Sequence, residues 1–147
     1  MWFNSFSTLA ILAVSLLNLT PTEAIITRIS APTTTLHPGH KFTVTFFTEN
    51  HIINNAQYYA LFGVTPSTKP DQVMGTLLGQ GFDLVTSGHS QTGHGSFKVT
   101  VRIPKGFVTE TGKTEAYILN TAVFGTAGVV NGLTEPIFTA NITIASS

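Results

Sequence analysis

The sequence predicts an all-β fold, an immunoglobulin- or fibronectin-like antiparallel β-sandwich of about seven strands that follows an N-terminal signal peptide. Three observations predict it. Apolar and polar residues alternate with a period of two, threonine is unusually common, and clusters of Pro, Gly and Asn recur roughly every ten residues. Helical periodicity is convincing nowhere in the chain, so neither a helical bundle nor an α/β fold is expected.

The first 24 residues are predicted to be a secretory signal peptide. Residues 9–17 read LAILAVSLL, an apolar run that is too short for a membrane span but suits a signal core. Small residues near Ala24 predict cleavage after it, which leaves residues 25–147 as a single β-sandwich domain. The alternative is a buried N-terminal helix. We expect a secreted, extracellular and host-associated protein without a membrane anchor.

The composition excludes several functional classes. The chain has no cysteine, and its seven basic residues balance seven acidic ones. Zinc fingers, thiol redox centres and disulfide scaffolds all need cysteine, and a nucleic-acid-binding protein needs a basic excess. We therefore expect no nucleic-acid partner, and a core held by burial alone, for which about 120 residues suffice.

The strands are predicted in order from the alternation and from the turn residues between them. In the clearest strand Phe97, Val99 and Val101 face one way while Lys98 and Thr100 face the other. A corner at residues 104–106 precedes the strand that carries Tyr117, as in immunoglobulin-like domains. The seven predicted strands are residues 25–31, 41–48, 57–65, 73–79, 97–103, 115–124 and 138–144.

No catalytic motif survives inspection. The segment Gly88-His89-Ser90-Gln91-Thr92-Gly93 nearly matches the nucleophile elbow of hydrolases, but its second glycine is one residue late and no strand-to-helix pattern surrounds it. The six carboxylates of residues 25–147 are scattered, and no pair is placed by sequence at the distance that glycoside hydrolysis requires. We expect a loop here, and a protein that is not an enzyme.

Histidines are the remaining candidates for chemistry. The topology would bring His51, His89 and His94 to the end of the sandwich that carries Glu49 and Asn50, with His37 and His40 at the other end. A three-histidine metal site is geometrically possible, but no rigid element fixes it. We expect solvated loop histidines, no metal and no cofactor. Whether the three histidines converge is left open by the sequence.

Two surface features complete the pattern. Asn141 begins an Asn-Ile-Thr glycosylation sequon on the outward face of the last predicted strand. Residues 125–135 form an apolar, glycine-rich loop at the same end as Glu49. Such a loop either folds over the core or contacts a partner, and we expect the first.

The order and spacing of several short motifs resemble the necrosis-inducing secreted effector family of fungi. The resemblance covers essentially the whole of residues 25–147, and it departs from the family pattern at His51, where an aromatic residue is usual. The motifs are Arg28-Ile29-Ser30-Ala31-Pro32, Pro38-Gly39, Thr48-Glu49-Asn50, Phe62-Gly63, Gly75-Thr76-Leu77-Leu78-Gly79 and Asn141-Ile142-Thr143.

The resemblance implies a non-enzymatic effector that binds host plant immune-receptor-associated kinases and suppresses pattern-triggered immunity. Some members provoke host cell death. A sandwich recognises a folded partner with its end loops or with an open sheet edge, and we expect the loop end. An exposed carboxylate beside aromatic residues suits such a surface. The predicted partner-binding residues are Thr48, Glu49, Asn50, His51, Tyr58 and Tyr59.

Two structural explanations stay open for these residues, since Glu49 and Asn50 can simply close a turn and a tyrosine can belong to the core. The alternative function is a secreted cell-wall or carbohydrate-binding module, which stacks sugars on exposed aromatic rings. Only Tyr58 and Tyr59 offer such a platform, because the one Trp of the chain, Trp2, lies in the predicted signal peptide.

Overall fold

The computed structural model describes residues 23–51, 53, 55–91 and 95–146. These residues form an all-β fold, which confirms the predicted class. No helix long and apolar enough to cross a membrane occurs among them. Their strands are β1 (Glu23–Ser30), β2 (Thr35–Leu36), β3 (Lys41–His51), β4 (Asn55–Pro66), β5 (Thr76–Asp83), β6 (Gly95–Arg102), β7 (Glu115–Ala127), β8 (Gly132–Thr134) and β9 (Ile137–Ile144).

The strands form two sheets that pack face to face. The first sheet has the order β1-β3-β6, and the second has the order β2-β9-β7-β4-β5, with β8 paired to the end of β7. All pairings are antiparallel except the short one between β2 and β9. The arrangement corresponds to strands A, B and E in one sheet and G, F and C in the other, which is the predicted immunoglobulin-like topology.

All seven predicted strands overlap a strand of the structure, but the fourth is displaced. It was expected at residues 73–79, whereas β5 spans Thr76–Asp83 and pairs with β4. The glycines at 79 and 81 carry no side chain that could extend the alternation, so the local pattern ends before the strand does. The short strands β2 and β8 were not predicted, because each depends on pairing with a distant or neighbouring strand.

The core lies between the two sheets and is aromatic at its centre. Phe46 of β3 is fully buried and packs edge-on against Phe62 of β4, with ring centroids 6.1 Å apart. The same ring stacks on Phe97 of β6 at 5.0 Å. Because alternate residues of each strand face inward, β3 alone buries Phe42, Val44 and Phe46. This packing joins strands of both sheets without any disulfide.

Tyr117 near the start of β7 forms the tyrosine corner that its position predicts. Its hydroxyl accepts the backbone N–H of Glu110 at 3.1 Å and donates to the Glu115 carboxylate at 3.2 Å. Its ring is buried against Phe107. The corner therefore fastens the connection between β6 and β7 to the second sheet.

The predicted signal peptide lies outside the described residues except for its last two positions. Those two, Glu23 and Ala24, begin β1 and pair in register with His51 and Asn50. Ala24 is buried. Cleavage after Ala24 stays a prediction.

Candidate functional site

The predicted site residues lie at one end of the sandwich, where β3 ends and β4 begins. Thr48 is only 3% exposed, whereas Glu49 and Asn50 are exposed. Glu49 and Asn50 pair with Ile25 and Ala24 of β1, so their backbone is fixed by the ladder. The side chain of Thr48 is therefore buried inside this end of the sandwich, whereas the side chains of Glu49 and Asn50 face solvent.

His51 closes the turn between β3 and β4. Its Nδ1 atom lies 3.0 Å from the side-chain nitrogen of Asn55 and accepts the backbone N–H of Ile53 at 3.3 Å. An amide nitrogen can only donate, so Nδ1 is an acceptor in both contacts and the ring proton resides on Nε2. Asn55 also donates to the carbonyl of Ile53 at 2.6 Å. The half-buried imidazole therefore shapes the turn from which Glu49 and Asn50 project.

A β-bulge explains why two successive tyrosines reach the surface. The register between β4 and β7 shifts between Gln57 and Tyr59, which leaves Tyr58 as the extra residue. Tyr58 and Tyr59 are 44% and 40% exposed, whereas Gln57 points inward and its Oε1 accepts the N–H of Ile26 at 3.0 Å. A regular strand would have buried one of the two rings.

Neighbouring residues hold each tyrosine in place. The hydroxyl of Tyr58 lies 3.0 Å from the Oγ1 of Thr126 on β7. The ring of Tyr59 lies over Gly81 of β5, so closely that a Cβ atom at position 81 would overlap its Oη and ring carbons. Gly81 therefore provides the space in which Tyr59 lies. Both rings are oriented by the sheet rather than by a loop.

The structure adds an apolar hairpin that sequence reasoning placed wrongly. Residues 125–135 were expected to fold over the core, but they form the end of β7, a tight turn and β8. Val129, Val130 and Leu133 are 98%, 90% and 92% exposed. The turn closes through the N–H of Asn131, which donates to the carbonyl of Gly128 at 3.1 Å, and both residues have positive φ. No local pattern says whether an apolar loop is covered, so the sequence could not settle its position.

The hairpin and the tyrosines belong to one surface. Leu133 pairs in register with Thr126, the residue that contacts Tyr58. Tyr58, Thr126 and Leu133 therefore lie side by side on β4, β7 and β8. Beside the hairpin, a cavity of about 320 Å³ is lined by both its strands and by Ile25 and Phe138. We call Tyr58, Tyr59, Val129, Val130 and Leu133 the loop-end surface.

The charge of this surface is negative. Glu49 and Glu135 are exposed near it, and Asp83 is the register partner of Tyr59. The backbone N–H of Thr86 is the main donor that holds the pKa of Asp83 below its ordinary value of 3.8. The Oδ1 atom of Asp83 accepts the N–H of Thr86 at 3.0 Å and the N–H of Val85 at 2.9 Å. Asp83 therefore stays ionised beside Tyr59 under mildly acidic conditions.

The four described histidines are His37, His40, His51 and His89. Among the described residues no group of three His, Asp or Glu side chains is placed to hold an ion. His94 lies outside those residues, and with it the question, left open by the sequence, of whether His51, His89 and His94 converge. The ring of His89 stacks on Phe97, with centroids 4.0 Å apart and planes 8° apart. His37 and His40 face each other at 5.7 Å.

The remaining predicted features have clear positions. His89 and Ser90 lie in the connection between β5 and β6, whose described residues 84–91 are mostly turns, as expected for a loop rather than a nucleophile elbow. Asn141 is exposed on β9, opposite Ile118 of β7. The position suits glycosylation, and the modification itself stays a prediction.

Comparison with known proteins identifies the family. A model of the Nis1 family matches residues 22–143. The chain belongs to the Nis1 family. This match supports the resemblance to secreted effectors at the level of the family. No curated protein sequence matches the chain.

Solved structures similar to this Nis1-family protein are distant. A superoxide reductase (neelaredoxin) from Ignicoccus hospitalis shares 13% identity at a TM-score of 0.42, with 83% of this chain and 82% of that chain covered. The glycoside hydrolase family 61 member Cel61B from Hypocrea jecorina shares 12% identity at a TM-score of 0.41, with 78% and 53% covered. Neither similarity carries an argument about function.

Proposed function

We propose that this protein is a secreted, non-enzymatic effector that binds a host plant immune-receptor-associated kinase and suppresses pattern-triggered immunity, with host cell death as a further outcome. Membership of the Nis1 family supports the effector role. The predicted signal peptide supports secretion. The kinase as partner comes from the resemblance to the necrosis-inducing effectors, and the loop-end surface is the part of the molecule proposed to bind it.

The observation that carries the proposal is the apolar hairpin between β7 and β8. Three aliphatic side chains that are at least 90% exposed are placed within five residues of one another. Large apolar groups grouped on a surface mark sites of protein association, because burying them against a partner removes them from water. A hairpin turn stabilised by Gly128 and Asn131 presents them with little conformational freedom to lose on binding.

The two tyrosines are the proposed aromatic contacts of the surface, because the exposed apolar side chains of the hairpin are all aliphatic. Tyrosine combines a large apolar ring with a polar hydroxyl and is enriched among residues that dominate binding energy. Tyr58 and Tyr59 are already held by Thr126 and by the space over Gly81, so their orientation costs little on binding. Glu49 lies at the same end and would orient a basic partner surface. Buried Thr48 and the turn residue His51 would hold the end of β3 from which Glu49 projects.

The experiment compares capture of kinases from a host plant extract by residues 25–147 and by three aspartate variants, Val129→Asp, Val130→Asp and Leu133→Asp. Val108→Asp is the matched control, because Val108 is 68% exposed and lies in the connection at the other end of the sandwich. We expect each hairpin variant to recover at least about tenfold less kinase than the wild type and the control.

Insoluble chitin and glucan serve as parallel baits. Retention on polysaccharide that is lost in Tyr59→Ala, with no kinase recovered, would overturn the proposal in favour of the carbohydrate-binding module. Equal kinase recovery by the hairpin variants and the wild type would reject the loop-end surface.

A further inference from the structure

The three-stranded sheet β1-β3-β6 ends at β6. In constant-type immunoglobulin domains the corresponding sheet has the order A-B-E-D, with strand D beside strand E. Here strands A, B and E correspond to β1, β3 and β6. The strand that precedes β6 in the chain is β5, and it pairs with β4 in the other sheet. The described residues place no strand beside the outer edge of β6.

One hydrogen bond shows which backbone groups face this edge. The N–H of Arg102 on β6 points away from β3 and donates to the side-chain oxygen of Gln80 at 2.9 Å. Because main-chain groups of alternate residues point the same way in an antiparallel strand, those of Lys98 and Thr100 also face the edge. From Phe97 to Arg102 the edge is about 17 Å long, enough for a segment of about five residues.

A groove runs along this edge, between β6 of the first sheet and β5 of the second. Its volume is about 490 Å³. Phe62, Phe82 and Val99 form its apolar floor, and Gln80 lies at its rim. Further along β6, outside the residues that line the groove, the ring of His89 stacks on Phe97. The groove could therefore receive every second side chain of an added strand.

The outer face beside the edge is basic. Four of the seven Lys and Arg residues of the chain lie on the outward face of the three-stranded sheet, namely Arg28, Lys41, Lys98 and Arg102. Lys41 and Arg102 are directly opposite in register, a like-charge pair that costs stability. The shielded Nε of Arg102 has no hydrogen-bond partner among the described residues. No carboxylate is among the described residues that line the groove.

We propose that the edge of β6 binds an extended acidic segment of a partner protein, which adds as a fourth strand to the sheet β1-β3-β6. Its main chain would bond to Lys98, Thr100 and Arg102. Its side chains would alternate between carboxylates beside Lys98 and Arg102 and apolar groups over Phe82 and Val99. This mode uses main-chain hydrogen bonds for affinity and alternate side-chain pockets for specificity.

A second copy of this chain suits the edge less well than an acidic segment. Antiparallel pairing of two β6 edges would bring Lys98 and Arg102 of one copy close to those of the other, and like charges across paired strands repel. The edge is also separate from the loop-end surface, so this inference does not rest on the proposed kinase binding.

The test measures binding of a fluorescein-labelled peptide, Glu-Val-Glu-Val-Glu-Val-Glu, to residues 25–147 by fluorescence anisotropy, with Lys-Val-Lys-Val-Lys-Val-Lys as the control peptide. Thr100→Pro removes an edge-facing N–H, and proline is tolerated at the open side of an edge strand. We expect binding of the acidic peptide to weaken at least about tenfold in Thr100→Pro and about fivefold in Lys98→Glu.

Two further variants sharpen the test. Lys113→Glu makes the same charge change as Lys98→Glu in the connection between β6 and β7, and it should change affinity less than about twofold. Gln80→Ala frees the N–H of Arg102 and should tighten binding about two- to fivefold. An equal loss in Lys113→Glu would show that binding depends on net charge alone, and would overturn the proposal.

Hydrogen exchange provides a measurement that needs no variant. The acidic peptide should slow amide exchange at Lys98 and Thr100 of the wild-type protein by at least about tenfold. Unchanged exchange at both residues with bound peptide would overturn the proposal, as would a stable dimer in light scattering that excludes the peptide.

Discussion

The phenolic oxygen of Tyr58 lies 3.0 Å from the hydroxyl oxygen of Thr126, and the register partner of Thr126 on the next strand is Leu133. This contact joins a predicted site residue to the hairpin that sequence reasoning expected over the core. It makes the tyrosines and the exposed aliphatic residues one surface.

Leu133→Asp should weaken partner binding without weakening the fold. Leu133 is 92% exposed and contributes little burial to the folded state, so the free energy of unfolding should change by less than about 0.5 kcal/mol. Urea unfolding measures that change, and capture of a partner measures binding. A drop of several kcal/mol in stability would show that the hairpin is part of the core.

Gly81→Ala should displace the ring of Tyr59. The added Cβ would overlap the far end of the tyrosine side chain, which can rotate away, so we expect a loss of about 1 kcal/mol or less in unfolding free energy. Partner binding should weaken as much as in Tyr59→Ala. Binding that is lost in Tyr59→Ala but kept in Gly81→Ala would show that the ring's position over Gly81 is not used.

Gly63→Ala should destabilise the fold much more than Gly81→Ala. A Cβ at position 63 would overlap the backbone carbonyl of Met74, so the chain that crosses this face must move. We expect a loss of about 2–3 kcal/mol in urea unfolding. Gly106→Ala is the control, because a Cβ there meets nothing within 4 Å and should change stability by less than about 0.5 kcal/mol.

Tyr117→Phe should cost about 1–2 kcal/mol of unfolding free energy, because the N–H of Glu110 loses its acceptor at the corner. Tyr58→Phe removes an equivalent hydroxyl from an exposed ring and should cost less than about 0.5 kcal/mol. Burial raises the pKa of Tyr117 above its ordinary 10.0. Ultraviolet titration should therefore show that the Tyr117 phenol ionises above pH 10.0. Equal losses of unfolding free energy in Tyr117→Phe and Tyr58→Phe would contradict the hydrogen bond between Tyr117 and Glu110.

Stability should fall in acid through the carboxylates of Asp83 and Glu115. The pKa of Asp83 is lowered from 3.8 mainly by the N–H of Thr86, and that of Glu115 is lowered from 4.5 mainly by its hydrogen bond to Thr111. A carboxylate whose pKa is lower in the folded state than in the unfolded state stabilises the fold. This stabilisation is complete above the unfolded-state pKa and is lost as the pH falls through the folded-state pKa. Asp83→Asn should lower the urea midpoint slightly at neutral pH, where the ionised carboxylate contributes in full, and should reduce its acid slope below pH 3.8. An unchanged acid slope would show that the turn contacts of Asp83 are not formed in solution.

The fold was largely predictable because its strongest strands carry their own signal. Phe97, Val99 and Val101 alternate with polar residues and are the inward face of β6. The sequence could not show that β5 pairs with β4 and leaves the edge of β6 open, because the choice of sheet depends on non-local pairing.

The site was predictable in part. Glu49 and Asn50 end a strand pattern and were found exposed, as a binding surface requires. The bulge at Tyr58 that brings out both tyrosines, and the exposure of Val129 and Val130, follow from register and from what the rest of the fold leaves uncovered. Neither the bulge nor this exposure could be predicted from the local sequence.

Site-specific photo-crosslinking tests the central claim most directly. A benzophenone amino acid at position 130, on the loop-end hairpin, or at position 108, at the opposite end, is exposed to host plant extract and light, and captured proteins are identified by mass spectrometry. The account predicts that an immune-receptor-associated kinase is captured from position 130 and not from position 108. Equal capture from both positions, or kinase captured only from position 108, would contradict it.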